Sequence, residues 1–361
     1  MALLCASLRT QMSLFRLCGL GTVRITNGLY SPYVSCQSRL PLCRYFSTSR
    51  DKRGIGRYLV SSLERINRKY EDFLKKRVPR FFLLYRTFVE GFKILFRDIK
   101  DVRRIKAKMS SERVKFQDLP YRDMEKLRQF RRDLIKTVPL IVISIPPCVN
   151  YLVFVFMYFF PRQLLIPHFW TPGQMVEFQK QYHSLRAQHH WPVLKGLENA
   201  SRQVKNGQLQ SFLKDLCAKV QSGKNPQVSE VLAVRGLFSG PPLSIKKMSV
   251  DQMRHLSPLL FLTPHLPGFL IGRRLNRHAL ELLQLDRALS RLGPHQLSES
   301  ELRQACFVRG LNSYSLGVNE CREWLSKWLQ VSSSLKDSEL SLLLHSIVFL
   351  SANYPKDPSR H

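Results

Sequence analysis

The sequence predicts an all-α membrane protein with a single transmembrane helix and helical regions on both sides of it. Three observations predict this fold class: an uncharged apolar run at 138–160, apolar residues that recur every three or four positions elsewhere, and no useful length of strand-like alternation. The chain has 361 residues and a formal net charge of +31, so anionic partners are expected.

The apolar run reads VPLIVISIPPCVNYLVFVFMYFF and lies between the cationic residues Lys136 and Arg162. As a helix, its 23 residues would rise about 34 Å, which is enough to cross a hydrocarbon core of about 30 Å. So long an apolar run is uncommon in soluble proteins, and this favours a transmembrane helix over a buried soluble one.

Two prolines interrupt this predicted helix. Pro146 and Pro147 lie near its middle, where each removes a backbone donor and crowds the preceding turn, so a kink or break is expected. Ser144 and Asn150 are the local side chains that could satisfy the backbone groups freed by the break. The run contains no carboxylate, Lys, Arg or His that could relay a proton.

The N-terminal residues have the composition of a mitochondrial transit peptide. The first 50 residues contain six arginines, and the first acidic residue is Asp51. Arg44 stands three positions before the bond between Phe46 and Ser47, which resembles a common processing site. We therefore predict a transit peptide at 1–46 and a mature chain that begins at Ser47.

Cysteine and histidine patterns predict neither a metal nor a cofactor. Four of the eight cysteines would leave with the transit peptide, and those that remain, Cys148, Cys217, Cys306 and Cys321, form no CxxC pair. All ten histidines follow the apolar run, and their scattered positions are typical of ordinary surface or helix residues.

Enzyme motifs are also weak. Gly223 and Lys224 lack the upstream glycine of a phosphate-binding loop, and the segment from Gly236 to Gly240 has its serine one place off from a nucleophile elbow. We predict that the protein is not an enzyme.

Charge is basic on both sides of the apolar run. Residues 51–136 contain 26 Lys and Arg against 12 Asp and Glu, and residues 162–361 contain 25 against 14. Such regions attract anionic lipid or nucleic acid, because both present phosphate groups. Anionic lipid is the simpler partner for the first region.

A basic amphipathic helical region is predicted at 47–137. After Pro79 one helical face carries apolar residues three or four apart, while the remaining positions are mostly charged. This face suits a lipid interface or a coiled-coil partner. A weaker pattern at 58–77 predicts a helical hairpin broken at Pro79, and a third helix should start near Pro120. The apolar residues are Phe81, Tyr85, Phe88, Phe92, Leu95, Ile99 and Val102.

The region after the apolar run is predicted to be helical throughout. A linker and first helix occupy 161–185, with Thr171 as the cap of a helix that begins at Pro172. Gly and Pro clusters separate several of the later patterns. The helical patterns lie at 172–190, 192–205, 208–221, 226–238, 246–261 and 275–292.

The last quarter predicts two helices joined by an extended link. Ser298 and Glu301 form a capping box for a helix that stops at Gly310, and a second helix covers 320–330. This arrangement resembles a SAP-like module, which binds nucleic acid in some proteins. Packing is the favoured role here, with nucleic-acid contact as the alternative.

The same segment is similar to the C-terminal signature of the LETM family of mitochondrial inner-membrane proteins. Pro147, Asn150 and Pro161 also fall at the spacing of that family's proline-rich span, and the order of presequence, span and helical domain agrees. The chain lacks the coiled-coil and EF-hand extension of longer members and so resembles the short ones. The signature residues are Leu302, Ala305, Cys306, Arg309, Gly310, Gly317, Leu325, Trp328 and Leu329.

This resemblance implies a ribosome-binding-like helical domain at 186–361. Family members bind mitochondrial ribosomes in the matrix and are implicated in potassium/proton or calcium/proton exchange. The resemblance therefore implies a non-enzymatic inner-membrane scaffold for ribosomes or assembly factors that supports respiratory-chain biogenesis, mitochondrial structure and ion homeostasis. Homo-oligomers and contacts with another family member are further expected partners.

A cation/proton exchanger, or a subunit of one, is the alternative function. Longer members have a Glu where this chain has Asn150 and a Lys where it has Tyr158, and an uncharged amide cannot exchange a proton. These differences favour the scaffold.

Two arguments about orientation disagree. Residues 121–137 contain six Lys and Arg and residues 161–180 contain two, which would place the N-terminal side in the matrix. The family places the C-terminal domain there. We predict the family orientation.

Overall fold

The structure, a computed structural model, describes residues 79–143 and 160–354, and this part of the chain contains helices and no strand. The all-α prediction is confirmed for these residues. Short 3-10 turns join several of the helices. The α-helices are α1 (Pro79–Ser111), α2 (Tyr121–Ile143), α3 (Pro161–Leu164), α4 (Pro172–Ala187), α5 (His190–Ser201), α6 (Gly207–Gln221), α7 (Val228–Ala233), α8 (Val250–Leu259), α9 (Gly268–Leu292), α10 (Glu299–Val308), α11 (Val318–Ser333) and α12 (Leu340–Ser351).

Several predicted features lie outside the described residues. No helix within 79–143 or 160–354 is both long enough and apolar enough to cross a membrane. The predicted transmembrane helix at 138–160 falls mostly on the undescribed stretch 144–159 and is not confirmed. The domain boundaries at 46, 137, 160 and 185 stay predictions. The other features outside the described residues are the transit peptide with Phe46 and Ser47, the helical pattern at 58–77, Pro146, Pro147 and Asn150.

The amphipathic helix predicted after Pro79 is confirmed as α1. Near its C-terminal end Val102 and Ile105 are buried, and Leu95 packs against a small cluster around Phe169. The residues that cover this part of α1 therefore belong to the chain itself, namely α2 and the 3-10 turn Pro167–Phe169.

Helix α2 begins immediately after Pro120, as predicted. Its N-terminal half is buried through Tyr121, Met124 and Leu127, whereas Ile135 and Val138 are exposed. The apolar side chains of α2 are thus buried near Tyr121 and exposed by Val138.

Two predicted helix caps are confirmed. The amide of Gln174 donates to Thr171 Oγ1 at 3.3 Å, and the Gln174 side chain accepts from the Thr171 amide at 3.0 Å. The amide of Glu301 donates to Ser298 Oγ at 3.3 Å, and its carboxylate accepts from the Ser298 amide at 2.9 Å. These reciprocal bonds satisfy helix N-terminal amides that would otherwise lack partners.

Three helices begin or end at other residues than predicted, in two cases next to a proline or a residue with positive φ. The helix expected at 275–292 begins earlier, at Gly268, because Pro267 can start a helix. The helix expected at 246–261 ends at Leu259, and Phe261 has φ of 58°. Helix α7 ends at Ala233, and a 3-10 turn, Arg235–Phe238, follows it.

A single hydrophobic core includes residues from both sides of the apolar run. Val102 and Met124 belong to the same buried cluster as Leu197 and Leu283. Two ion pairs cross the same boundary: Arg122 Nε lies 2.9 Å from Glu301 Oε1, and Arg131 Nη1 lies 3.3 Å from Glu281 Oε1. Helices α1 and α2 therefore fold into one body with α5–α12.

The sequence patterns missed the most buried helix. Every residue of α12 is buried, and the helix packs against α5, α9 and α11. A helix that is buried on all sides needs no charged face, so its sequence shows no helical alternation of apolar and charged residues. Ser346 fits this environment because its hydroxyl donates to the Leu342 carbonyl at 2.8 Å.

One histidine of α12 links this helix to α8 through a hydrogen bond in the core. His345 Nδ1 lies 2.7 Å from the Ser341 carbonyl oxygen, to which it donates, and Nε2 lies 3.1 Å from Gln252 Nε2, from which it accepts. Burial lowers the pKa of His345 to about 4. A protonated ring would direct a second N–H at the Gln252 amide donor, so the fold requires the neutral form.

Two of the described histidines are buried, and both lie on helices. His190 is buried as well as His345. Burial, together with the charge of Arg186, lowers the pKa of His183 to about 4. Burial and the nearby His183 lower the pKa of His190 to about 3.

We expect the protein to lose stability as pH falls from about 6.5 to about 4. Below the ordinary histidine pKa of about 6.5, the unfolded chain binds protons that the buried neutral rings refuse, and each ring contributes up to about 1.4 kcal/mol per pH unit. Denaturant unfolding of the detergent-solubilised full chain across this range measures the loss.

The matched variants are His345→Asn and His295→Gln. The first should lower stability at neutral pH but reduce the loss on acidification, because Asn keeps an N–H donor and does not titrate. The second changes an exposed ring and should leave the pH profile intact. A profile that His345→Asn does not alter would contradict this account.

Candidate functional site

The residues of the predicted family signature lie together in the core between α10 and α11. All of the side chains are buried, so the signature describes packing and not an exposed surface. Gly310 and Gly317 mark the two ends of the link between the helices. The buried members are Leu302, Ala305, Cys306, Arg309, Leu325, Trp328 and Leu329.

A buried ion pair forms the centre of this cluster. Arg309 Nε and Nη2 lie 2.7 Å and 2.6 Å from Asp286 Oδ1, and the second carboxylate oxygen accepts from Trp328 Nε1 at 2.8 Å. Arg309 Nη1 also donates to the Ala305 carbonyl at 2.8 Å. The pair therefore joins α9, α10 and α11 through charge-assisted bonds.

The charge of Arg309 also acts on Tyr121, the first residue of α2. Burial raises the pKa of Asp286, and the neighbouring Arg309 opposes this shift. Burial also raises the pKa of Tyr121 to about 12, again opposed by Arg309, so the phenol stays neutral and can hydrogen-bond with the guanidinium. The signature arginine thereby contacts a helix that precedes the apolar run.

The link after α10 is a compact turn and not the extended segment that was predicted. Gly310 has φ of 116°, and a Cβ there would lie 2.7 Å from Ile347 Cγ2, so only glycine fits. Arg303 then folds the link back by donating to the carbonyls of Ser313 and, at 3.2 Å, Leu316. Hydrogen bonds from a side chain to carbonyls this far away along the sequence leave no repeating pattern that a sequence would show.

The cysteines near the signature are buried free thiols. Cys306 Sγ lies 3.5 Å from the Cys321 carbonyl oxygen, and contact with Cys321 together with burial raises the pKa of the Cys306 thiol. A buried protonated thiol is a poor nucleophile. Within the described ranges, no three His, Cys, Asp or Glu side chains come close enough to hold a metal ion.

A second buried arginine was not found by sequence reasoning. Arg186 donates through Nε to the Leu259 carbonyl at 2.9 Å and through Nη1 to the Phe307 carbonyl at 3.0 Å. Its guanidinium lies 4.5 Å from the Phe261 ring centroid and 5.2 Å from that of Phe307. Burial, with a contribution from Arg132, lowers the pKa of Arg186 to about 9. Two aromatic rings and two backbone carbonyls thus surround the buried charge of Arg186, in the role that a carboxylate has for Arg309.

A charged cluster joins the chain that follows the apolar run to the two helices before it. His168 Nε2 lies 2.7 Å from Asp98 Oδ2 in α1, and Nδ1 lies 3.8 Å from Asp133 Oδ2 in α2. Lys126 also lies 3.7 Å from Asp98. Burial raises the pKa of Asp133 to about 6, and the nearby His168 opposes this shift.

A basic surface lies at the C-terminal end of α1 and in the residues that follow it, and we name it the α1 basic end. Between residues 100 and 123 there are eight basic and four acidic residues. Five of these basic residues form no side-chain hydrogen bond or ion pair within the described part of the chain, and all five are exposed. Such a surface can bind phosphate groups by releasing their counterions. The α1 basic end consists of Arg103, Lys106, Lys108, Arg113 and Lys115.

Removing one partner of the buried pair should cost much more stability than removing both. Arg309→Met should lower the free energy of unfolding by about 3–5 kcal/mol, because Asp286 would remain buried and unpaired. Adding Asp286→Leu should restore part of that loss. Denaturant unfolding of the full chain in detergent tests this.

An exposed ion pair supplies the control. Arg287 Nη2 lies 2.9 Å from Asp337 Oδ1 at the surface, and Arg287→Ala should cost less than about 1 kcal/mol. Equal losses from Arg309→Met and Arg287→Ala would contradict the central role given to the buried pair.

Comparison with known proteins identifies the helical body. The family profile described as LETM1-like, RBD matches residues 119–349. LETM1 domain-containing protein 1 of Xenopus tropicalis is 51% identical over 310 residues, which cover 86% of this chain and 88% of that protein. The human protein of the same name is 46% identical over 310 residues, 86% of each chain.

A more distant relative has a different name. The mitochondrial proton/calcium exchanger protein of Drosophila melanogaster is 24% identical over 273 residues, which cover 73% of this chain and 26% of that protein. The profile match and the two closer similarities are sufficient to assign the family. This chain therefore belongs to the LETM1-like family and carries its ribosome-binding-like helical domain.

Proposed function

We propose that this protein is a non-enzymatic scaffold of the mitochondrial inner membrane whose helical domain docks mitochondrial ribosomes or assembly factors in the matrix. The match of residues 119–349 to a ribosome-binding-like domain is the observation that carries this proposal. Through that docking it would support respiratory-chain biogenesis, mitochondrial structure and ion homeostasis.

The distribution of charge supports docking to a ribosome. Ribosomal RNA is a dense array of phosphates, and the α1 basic end presents exposed cations that have no internal partners. Arg103 and Lys106 are typical of this surface, since neither is held by a carboxylate of the described residues. Their charge is thus available to a partner.

The signature residues support a structural role within the same proposal. Arg309 and Trp328 are buried and bonded to Asp286, so they cannot touch a ribosome directly. They hold α9, α10 and α11 in place and thereby position the surfaces that do make contact.

Membrane association completes the proposal. The N-terminal composition at 1–46 supports import into mitochondria, and the apolar run at 138–160 supports attachment to the inner membrane. The high positive charge of the chain suits anionic lipid on the membrane that it would contact.

We expect the full chain in mild detergent to cosediment with mitochondrial ribosomes at low salt and to be released as salt rises. Replacing Arg103, Lys106 and Arg113 by Glu should weaken binding and lower the slope of log affinity against log salt by about 2–3, because each lost phosphate contact removes somewhat less than one unit. Quantitative sedimentation over a salt series measures both effects.

A charge-matched control comes from another surface of the molecule. Lys205 and Lys214 are exposed near and on α6, and Lys205→Glu with Lys214→Glu should change binding much less than the α1 variant. No cosedimentation of the unmodified chain at low salt would exclude ribosome docking.

Cation/proton exchange is the second candidate, because one relative is named as a proton/calcium exchanger. The uncharged Asn150 at the position of the family's Glu weighs against it. Purified protein in liposomes that moved potassium or calcium against a proton gradient, and stopped doing so after Asn150→Ala, would favour exchange over scaffolding.

A further inference from the structure

We infer that the junction of α2, α4 and α9 binds a small phosphate-bearing anion, held between Arg132 of α2 and Arg186 of α4. Inorganic phosphate and small soluble phosphate monoesters share the chemistry that this site would recognise. The inference goes beyond the proposed ribosome docking and does not depend on it, because it rests only on side chains of three described helices. We name this site the α2–α4 anion site; it consists of Arg132, Lys136 and Arg186, with Tyr182 and His278 beside them.

Arg186 has a hydrogen-bond donor that no acceptor satisfies. The residue is 1% exposed, and its Nε and Nη1 donate to backbone carbonyls. The remaining nitrogen, Nη2, is buried and has no hydrogen-bond partner among the described residues. A buried charged donor without an acceptor costs free energy of folding. The position therefore favours an acceptor that these helices do not themselves supply.

Arg132 is a second cation without a partner. It is only partly exposed, and it forms no side-chain hydrogen bond and no ion pair with the described residues. Burial, together with the charge of Arg128, lowers the pKa of Arg132 to about 10. The surroundings of Arg132 thus disfavour its positive charge, which an anion would stabilise.

The carboxylates near Arg132 already have other partners. Three of them act on its charge, and each lies close to a different Arg or His side chain. Arg132, Lys136 and Arg186 therefore remain without a carboxylate of their own among the described residues. The pairs are Arg128 with Glu125 at 3.4 Å, Arg131 with Glu281 at 3.3 Å, and His168 with Asp133 at 3.8 Å.

One contact fixes the register between α2 and α4. Lys136 Nζ lies 6.0 Å from the centroid of the Tyr182 ring. Arg132 precedes Lys136 by four residues and Arg186 follows Tyr182 by four. Each arginine is thus about one helical turn, roughly 6 Å, from this contact. The two arginines face each other provided that the helices run in opposite directions.

The two helices do run in opposite directions. Tyr121 at the start of α2 lies beside Arg309. Arg186, near the end of α4, donates to the carbonyl of Phe307, which is two residues from Arg309. The start of α2 is therefore on the Arg186 side of α4. In agreement with this placement, the charge of Arg132 helps to lower the pKa of Arg186.

His278 adds a side chain from α9 to the junction. It lies three residues before Glu281, the partner of Arg131, and is therefore beside α2. Burial and the charge of Arg132 lower the pKa of His278 to about 4, and its ring forms no hydrogen bond with the described residues. The ring is neutral at physiological pH and has one N–H to donate to an anion.

Phosphate suits this site better than chloride or a carboxylate. Guanidinium N–H groups match the oxygen geometry of phosphate, and a phosphate monoester has a charge of about −1.5 to −2 at neutral pH. Three cations without carboxylates favour this larger charge. Because Arg186 is buried and Arg132 is only partly exposed, the site admits a small ion and is too enclosed for the backbone of RNA.

Thermal unfolding of the full chain in a phosphate-free detergent tests the α2–α4 anion site. At constant ionic strength, inorganic phosphate in place of chloride should raise Tm by about 3–5 °C for each tenfold increase in concentration above Kd, because the anion binds only the folded state. Equilibrium dialysis with radiolabelled phosphate should show bound phosphate under the same conditions. Equal Tm in phosphate and chloride would overturn the inference.

Matched variants separate the site from a general salt effect. Arg132→Gln removes one of two like charges, so it should not lower Tm without phosphate, and it should abolish the response to phosphate. Arg132→Lys keeps the charge and should retain a weaker response. Arg131→Gln removes the same charge at the next position, where the partner is Glu281, and should leave the response intact. A response that survives Arg132→Gln, or that Arg131→Gln also abolishes, would contradict the assignment.

Two further ligands identify the source of the phosphate. Glycerol 3-phosphate is a small soluble monoester, whereas phosphatidic acid in nanodiscs carries the same group on a lipid. Glycerol 3-phosphate should raise Tm in the unmodified chain and not in Arg132→Gln. Phosphatidic acid should cause no rise that depends on Arg132. Stabilisation through Arg132 by phosphatidic acid, and by neither soluble ligand, would overturn the assignment to a soluble anion.

Discussion

The buried pair of Arg309 and Asp286 is the interaction on which the rest of this structure depends. It places the charge of Arg309, the residue that follows α10, and the charge of Asp286 in α9 where neither is tolerated alone, and Trp328 of α11 satisfies the remaining carboxylate oxygen. Because Tyr121 also meets Arg309, the same network holds α2 against the later helices. Arg309, one of the residues that carry the family resemblance, thus also interacts with a residue before the apolar run.

This joining makes the helices on the two sides of the run one body. Exposed apolar and cationic side chains, such as Phe269 and Arg273, occur on α9. Exposed cations without an ion-pair partner among the described residues, such as Arg103 and Lys106, occur on α1. Because α1 and α9 share one hydrophobic core, these two exposed surfaces keep a fixed separation.

Sequence patterns predicted those elements that have two chemically different faces or a local cap. Helix α1 was predicted because polar and apolar residues alternate around it, and the caps at Thr171 and Ser298 because their hydrogen bonds are made within three residues. Helix α12 was missed because it is buried on every side and has no charged face. The environments of Arg186 and His345 were missed because their partners, such as Phe307 and Gln252, are far away in sequence.

The sequence by itself determined the all-α class, the family and the presence of an uncharged apolar run between two cations. These properties depend on composition and on local spacing, which a sequence shows directly. Only the tertiary structure decided that Lys136 and Arg162 meet at one ring and that the basic flanks share one core. The reason is physical: composition and apolar length are local properties of a segment, whereas the contacts of its flanks are made between residues that are far apart in the sequence.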